Sequence, residues 1–361
     1  MSYFAGDPWH ETLCMRPFAW VRPTSVPEAL DAGATLLAAA MLSESGEPGT
    51  SAVIFKAGGI DLLDLMKEGL VTPLALVNLP SLTSTLPGLG RIVEAADGSV
   101  SIGALVTLAA IADHPLIRVR YPALAEAVGE AASPQLRQVA TLGGNLLQRP
   151  RCWYFRSRYH HCLRKGGQEC FAFAGENQYH AVFGHNGCAI VHPSTSAIAL
   201  VAFHAQAEFM SAKGAKRTSS LESFFVLPEV DLERENDLEP GEILTAVVLP
   251  PSRSSARSCY LRQGQMDSLD WALVEVAAVL DVDSEGTCRA ASIILGAVSP
   301  VPHRVHSAEA ALLGKPVSKA LAQSAGHAAL EGAMPLSQNA YKLPILETLV
   351  ARAILKSVNP A

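Results

Sequence analysis

The sequence predicts an α+β fold divided into at least two units, and three observations carry that reading. Short β-prone runs alternate with alanine- and leucine-rich helical stretches, the composition shifts sharply over residues 149–192, and Pro250-Pro251-Ser252-Arg253-Ser254-Ser255 reads as a linker. At 361 residues the chain is long enough for two or three units with cores of their own. Hydrophobic residues make up 49% of it and charged residues 17%, an apolar balance that suggests surface buried against partners. No apolar run approaches a bilayer span. Met1–Trp20 shows neither the order of a secretory signal nor a twin arginine, so a cytoplasmic location is expected, or a periplasmic one by co-export with a signal-bearing partner. A net charge of −6 without a dense Lys/Arg stripe argues against a nucleic-acid or membrane role.

Taken in order, residues 27–40 follow a Pro-Thr-Ser-Val-Pro entry and predict a capped helix. The β-prone run Ala52-Val53-Ile54-Phe55 leads into Lys56-Ala57-Gly58-Gly59-Ile60-Asp61 and a helix through Lys67. Strand, glycine turn and helix in that order suit an anion, because glycine lets the backbone approach a ligand and helix-start amides face its charge. Short strands are predicted over 74–79, 91–95 and 99–102, with helical stretches over 105–112 and 123–132. Then Ala140-Thr141-Leu142-Gly143-Gly144-Asn145 supplies a second paired-glycine turn about eighty residues after the first. Two such turns suggest one extended ligand held at both points, a diphosphate-linked dinucleotide. The Gly-x-Gly-x-x-Gly nicotinamide fingerprint is absent, so a different fold grips the nucleotide. Beyond the 149–192 stretch come apolar structure over 197–207, a polar turn over 231–241, a strand over 242–249, and an α+β module from Tyr260 with a strand over 292–298.

Seven cysteines divide into two classes. Cys14, Cys259 and Cys288 are isolated and read as ordinary half-buried thiols. Cys152-x9-Cys162-x7-Cys170-x17-Cys188 cluster on one irregular loop. Four soft thiolates suit an iron–sulfur cluster or zinc, but zinc sites favour a Cys-x2–4-Cys knuckle, which is missing here. Unligated thiols are the third reading. Arg149, Arg151, Arg156, Arg158, Arg164 and Lys165 can offset the charge of a tetrathiolate site, and Trp153, Tyr154 and Phe155 can keep water from it. His160, His161, His180, His185 and His192 read as solvated loop residues before ligands.

Lys56-Ala57-Gly58-Gly59, Ile102-Gly103-Ala104 and Ala140 to Asn145, in that order, resemble the FAD-binding subunit of the xanthine dehydrogenase family. Tyr260-Leu261-Arg262, Asp270-Trp271-Ala272-Leu273-Val274, Gly296-Ala297-Val298 and Pro302-His303-Arg304 resemble that family's C-terminal domain. The resemblance implies the FAD-binding fold of the vanillyl-alcohol oxidase and CO dehydrogenase flavoprotein type over 16–249, in subdomains of about 16–75 and 76–249. A smaller α+β domain over 256–355 follows. The cysteine loop looks like the [4Fe–4S] insertion of flavin subunits of bacterial aldehyde oxidoreductases and of 4-hydroxybenzoyl-CoA reductase. Residues 151–155 are common to both, while 179–184 and 188–194 favour the aldehyde type.

Carried over by position, Lys56, Ala57, Gly58, Gly59, Ile60, Asp61 and Leu62 would wrap the FAD diphosphate. Thr141, Gly143, Gly144 and Asn145 would form the second contact, with Ala104, Thr107, Ser133 and Arg137 on nearby segments and Arg262 facing the flavin. Cys152, Cys162, Cys170 and Cys188 would hold the cluster. Position 195 departs from the family, with Thr195 where aspartate is usual. The resemblance further implies a large subunit holding the molybdenum cofactor, a small subunit with two [2Fe–2S] clusters, and electron transfer through FAD to an external acceptor (a ferredoxin-like protein, a quinone, oxygen or NAD). A heterotrimer is the expected assembly, and no residue of this chain is expected to be catalytic. Two rivals differ in class. A free-standing flavin oxidoreductase would turn over alone, and a zinc-binding scaffold would purify colourless and free of flavin.

Overall fold

The computed structural model describes residues 15–32, 35–41, 52–266 and 268–359. Cys14 and the larger part of Met1–Trp20 lie outside the described residues. Among the described residues the architecture is α+β, built on three sheets.

Strands β1 (Ala19–Val21), β2 (Val53–Lys56) and β3 (Ala75–Asn78) form a parallel sheet in the order β1-β3-β2. A single helix over 27–40 is not what forms. Two short ones appear, α1 (Val26–Asp31) and α2 (Leu37–Met41), with residues 33 and 34 not described. Pro27 in the first turn and the Ser25 hydroxyl, which accepts from Glu28 N at 3.3 Å, start α1. Burial of Val26, Ala29 and Leu30 sets its length, where alanine content alone had suggested a longer helix. Helix α3 (Ile60–Lys67) leaves β2 at once and buries Leu62, Leu65 and Met66. Because β3 runs to Asn78, a subdomain division at 75/76 would cut a strand.

The second unit is an antiparallel sheet of β4 (Ile92–Glu94), β5 (Val100–Gly103), β6 (Gln206–Ser211), β7 (Lys216–Ser220) and β8 (Glu242–Leu249), ordered β4-β5-β8-β6-β7. Seven helices accompany it: α4 (Leu108–Asp113), α5 (Pro115–Arg120), α6 (Pro122–Gly129), α7 (Pro134–Arg137), α8 (Leu142–Leu146), α9 (Thr195–Ala202) and α10 (Leu221–Phe224). Every residue of α9 after Thr195 is buried, as an apolar helix hydrophobic all round must be.

The third unit orders β9 (Ala256–Gln263), β10 (Val274–Val282), β11 (Cys288–Gly296) and β12 (His303–Arg304) antiparallel as β12-β11-β10-β9. Helices α11 (His306–Leu312), α12 (Lys319–Ala328) and α13 (Lys342–Val358) pack on it. Cys259 and Cys288 are fully buried in these strands, where they had been expected half-buried, because both lie on apolar positions of the sheet.

Residues 149–192 contain one regular piece, a 3-10 turn at Leu163–Lys165. The loop is nonetheless tied down at both ends. Phe155 and Cys162 enter the core under the parallel sheet, and Val182 and Phe183 enter the core of the third unit. Lys342 Nζ donates to the Tyr179, His180 and Ala297 carbonyls at 3.0, 3.0 and 2.8 Å, which pins the loop to α13. Among the described residues no helix is long and apolar enough to cross a membrane.

Candidate functional site: a cleft and a cysteine pocket

A cleft of about 780 Å³ is lined by residues of all three units. One side is the β2–α3 turn. Gly59 caps α3 at φ 85°, a left-handed conformation natural to glycine, so that Ile60, Asp61 and Leu62 present first-turn amides. A Cβ on Gly58 would overlap the Val139 carbonyl oxygen, so this turn lies directly on the segment that leads to the second glycine pair. That second pair is not an open turn but the start of α8, which corrects the sequence reading. Thr141 caps the helix through its hydroxyl, which accepts from Gly144 N at 3.2 Å. Gly143 N donates to Ala104 O at 2.8 Å. Asn145 Oδ1 accepts from the Ser194 and Ser196 hydroxyls, both at 2.6 Å, and so locks α8 to α9.

Lys56, Ala57, Gly58, Gly59, Ile60, Asp61, Leu62, Ala104, Ser133, Arg137, Thr141, Gly143, Gly144, Asn145, Thr195 and Arg262 all line this one cleft. Thr107 does not. Its hydroxyl accepts from Ala110 N at 3.2 Å as the cap of α4, a role the motif-level carry-over of residues 104–107 could not separate from ligand contact. Ser133 lines the cleft while also capping α7. Arg137 donates to the Ala131 and Ala132 carbonyls, and Arg262 to those of Glu130, Ser268 and Asp270. Asp61 is neutralised within the protein: Arg156 and Arg151 reach its Oδ1 at 2.6 and 2.9 Å, and Arg149 N donates to Oδ2 at 2.8 Å. Thr195 Oγ1 is buried with no hydrogen-bond partner on the cleft wall.

These features fit a diphosphate dinucleotide. Free amides stand at a helix start, the backbone is bare where a Cβ would collide, and Lys56, Arg137 and Arg262 offset negative charge. Glu235 and Glu275 also line the cleft, and sequence reasoning missed both.

Beside this cleft, Cys152, Cys162, Cys170 and Cys188 line one small pocket with Tyr154, Phe155, Leu163, Arg164, Phe171 and Ile190. All four are free thiols. Among the described residues, no group of three His, Cys, Asp or Glu side chains stands ready to hold a metal ion. Four thiols on apolar walls with one buried cation are the donor chemistry that a soft metal centre would need. Arg164 is 1% exposed, and its Nε and Nη2 have no partner. The Cys188 thiol is held below its ordinary range by a hydrogen bond from Cys170 and by the Arg164 guanidinium. Burial pushes Cys152 up to about 12.

Only part of the expected cation shell serves the cysteines. Arg164 and Lys165 act on them. Arg149, Arg151 and Arg156 are instead drawn to Glu235 and Asp61, which fasten the loop to the cleft. Tyr154 and Phe155 do wall the pocket, while Trp153 packs edge-on against Tyr154, Tyr179 and His180.

The histidines are less solvated than the sequence suggested. His180, His185 and His192 are buried, and His180 Nε2 lies 3.2 Å from Cys152 Sγ. His192 is enclosed with both ring nitrogens unpartnered, edge-on to Phe225, and burial pushes it down to about 3. A histidine depressed on folding stays neutral in the native state while the unfolded chain takes up a proton. Its contribution is therefore complete above the unfolded value near 6.5 and is lost as pH falls toward 3. Stability measured by urea unfolding will drop between pH 7 and pH 5, and His192→Leu will reduce that drop by about 2 kcal/mol. Equal drops in both proteins would refute the assignment.

The deciding comparison is with known families. The profile described as FAD binding domain in molybdopterin dehydrogenase matches residues 16–252. The chain belongs to this family. Residues 260–357 match the CO dehydrogenase flavoprotein C-terminal domain. The aldehyde oxidoreductase FAD-binding subunit PaoB of Escherichia coli (strain K12) is 35% identical over 89% of this chain and 94% of its own length. The carbon monoxide dehydrogenase medium chain of Hydrogenophaga pseudoflava is 27% identical over 86% of this chain and 90% of its own. Quinoline 2-oxidoreductase from Pseudomonas putida 86 has the same fold, with a TM-score of 0.70 at 24% identity, covering 96% of this chain and 98% of that one. The family is one of oxidoreductase subunits, and this chain carries its FAD-binding domain.

Proposed function

We propose that this chain holds FAD in the cleft as the electron-passing subunit of a molybdenum-dependent oxidoreductase, and that Cys152, Cys162, Cys170 and Cys188 hold a [4Fe–4S] cluster beside it. The carrying observation is the convergence of two glycine motifs, far apart in sequence, on one cleft that the Glu235–Arg164 pair ties to the cysteine pocket. FAD, when bound, accepts electrons singly and releases them singly or in pairs, which suits a junction between one-electron centres and an acceptor.

The chain's own residues do the positioning. The amides of residues 60–62 and the Lys56 ammonium bind the diphosphate. Thr141 and Asn145 fix the second contact, and Thr195 Oγ1 supplies one neutral hydrogen bond in place of a carboxylate. Arg262 stands at the third unit's side of the cleft. Arg151 lines the cleft and the next residue, Cys152, lines the cysteine pocket, which makes the cluster a natural stage for electrons entering or leaving the cleft. Tyr154 and Phe155 exclude water, and the Arg164 guanidinium offsets the negative charge of four thiolates.

Electrons would come from a small [2Fe–2S] subunit fed by a large molybdenum-cofactor subunit, in a heterotrimer, and would leave to an external acceptor. An aldehyde as the complex's substrate is favoured by the 35% identity to an aldehyde oxidoreductase subunit over nearly the whole chain. Anaerobically purified protein, assayed for iron and acid-labile sulfide, will contain about four of each per chain. Cys170→Ala will lose them, along with the broad visible absorbance, and will keep its flavin. Flavin without iron in the wild-type chain would sink the cluster and leave the FAD assignment standing.

A further inference from the structure

Strand β10 is apolar from Val274 to Leu280 except for one carboxylate. Glu275 sits between Val274 and Val276, is 4% exposed, and lines the wall of the cleft. Three features show that its site is built for it. Tyr260, on the neighbouring strand β9, donates its phenol to Glu275 Oε1 at 2.8 Å and is itself 1% exposed. Gly296 stands opposite Glu275 in the β10–β11 pairing, and a Cβ there would overlap Glu275 Oε2. The absent side chain on β11 is therefore the space the carboxyl occupies. A buried carboxylate normally demands a cation, yet among the described residues no arginine or lysine forms an ion pair with Glu275. Its only hydrogen bond among them is from a phenol.

We propose that the Glu275–Tyr260 pair is a proton-holding group for the flavin bound in the cleft. The inference rests on the FAD reading above and adds a residue role that the reading does not contain. A bound flavin that took up two electrons and one proton would bring one negative charge into the cleft. The Glu275 carboxylate then takes one further proton from solvent and becomes neutral. When the two electrons leave for the acceptor, both protons return to solvent. The electrons come from the partner's clusters in the complex, or from an added reductant in an isolated sample, so the balance closes without another reactant.

The groups facing the carboxyl make this exchange possible near neutral pH. Burial raises Glu275 to about 7, and Glu130 at the end of α6 adds to the rise. The Tyr260 phenol and Arg262 on β9 and Lys342 on α13 pull the other way. Glu126, also on α6, accepts from Tyr260 N at 2.7 Å and is paired with Lys356. Helix α9 brings the apolar Ile198 to this corner. A group poised there changes its protonation when a charge appears nearby, and a carboxylate in water does not.

The test is proton uptake during anaerobic reduction of the FAD-loaded protein, read with a pH indicator in weak buffer from pH 6 to pH 9. Glu275→Gln keeps the acceptor for the Tyr260 phenol and mimics the neutral carboxyl. It should bind flavin, and its thermal transition should lie no lower than that of the wild type, because burial disfavours the charged carboxylate. The wild type will take up more protons per flavin than Glu275→Gln at and above pH 7, by up to one, and the two will agree at pH 6. Tyr260→Phe, which removes the bond that favours the carboxylate, will move the excess to higher pH. Equal uptake by wild type and Glu275→Gln at every pH overturns the proposal and leaves the FAD site intact. A chain that binds no flavin overturns both.

Discussion

Gly58→Ala will purify with its flavin lost, or bound at least a hundredfold more weakly than in the wild type. The added methyl meets the Val139 carbonyl oxygen, which is backbone and cannot rotate away. The β2–α3 turn and the segment that leads into α8 must then separate, and the cleft loses the fixed distance between its two glycine motifs. The strain costs roughly 1–3 kcal/mol of stability, a tolerable loss for a folded chain. The effect on ligand binding is larger, because two contacts with one rigid diphosphate cannot both be kept after a shift of that kind. Gly88→Ala is the control, since nothing lies near its Cβ position, and it will keep both flavin and melting temperature. A Gly58→Ala protein that retains stoichiometric flavin would show that the two motifs need not touch.

Replacing Glu235 will destabilise the protein more than any surface ion-pair change. Its two oxygens accept from Arg149 and Arg164 at 2.7 Å each, and all three side chains are almost completely buried. Removal of the shared carboxylate leaves two guanidiniums uncompensated in the interior, which costs about 3–5 kcal/mol. Glu235→Gln should therefore lower the thermal midpoint by roughly 10 °C. Arg253→Ala breaks a pair whose arginine is 73% exposed and should cost under about 1 kcal/mol. Because Arg149 lines the cleft and Arg164 the cysteine pocket, Glu235→Gln should also loosen both sites together. Stability equal to that of Arg253→Ala would mean the buried triad is dispensable.

How much of this could be read from the sequence depended on how local the signal was. The β2–Gly–α3 unit was legible because strand, glycine pair and helix follow one another within fifteen residues. Strand β8 was placed residue for residue, being an apolar, β-prone run between a polar turn and the Pro250-Pro251 stretch. The four cysteines stood out by clustering.

Glu235 gave no such signal. It lies in a stretch that reads as a solvated polar turn, and its partners are 86 and 71 residues away, so only tertiary packing reveals that it is buried. The same long-range pairing drew Arg149, Arg151 and Arg156 away from the cysteines, where simple proximity in sequence had placed them. His192 read as a loop histidine because nothing nearby in the chain announces that Phe225 covers it. Glu275 was the missed residue that did carry a sign, a lone carboxylate inside the run Val274-Glu275-Val276-Ala277-Ala278-Val279. An alternation search passes over such a residue because it scores the strand and not the exception.

The most direct test of the central claim is the flavin content of the purified chain. Protein with a cooperative thermal transition is denatured, and the released chromophore is identified by mass and quantified against protein. The account predicts FAD at about one per chain, kept by Gly88→Ala and lost by Gly58→Ala. A well-folded chain that carries no flavin and takes up none from added FAD would contradict it.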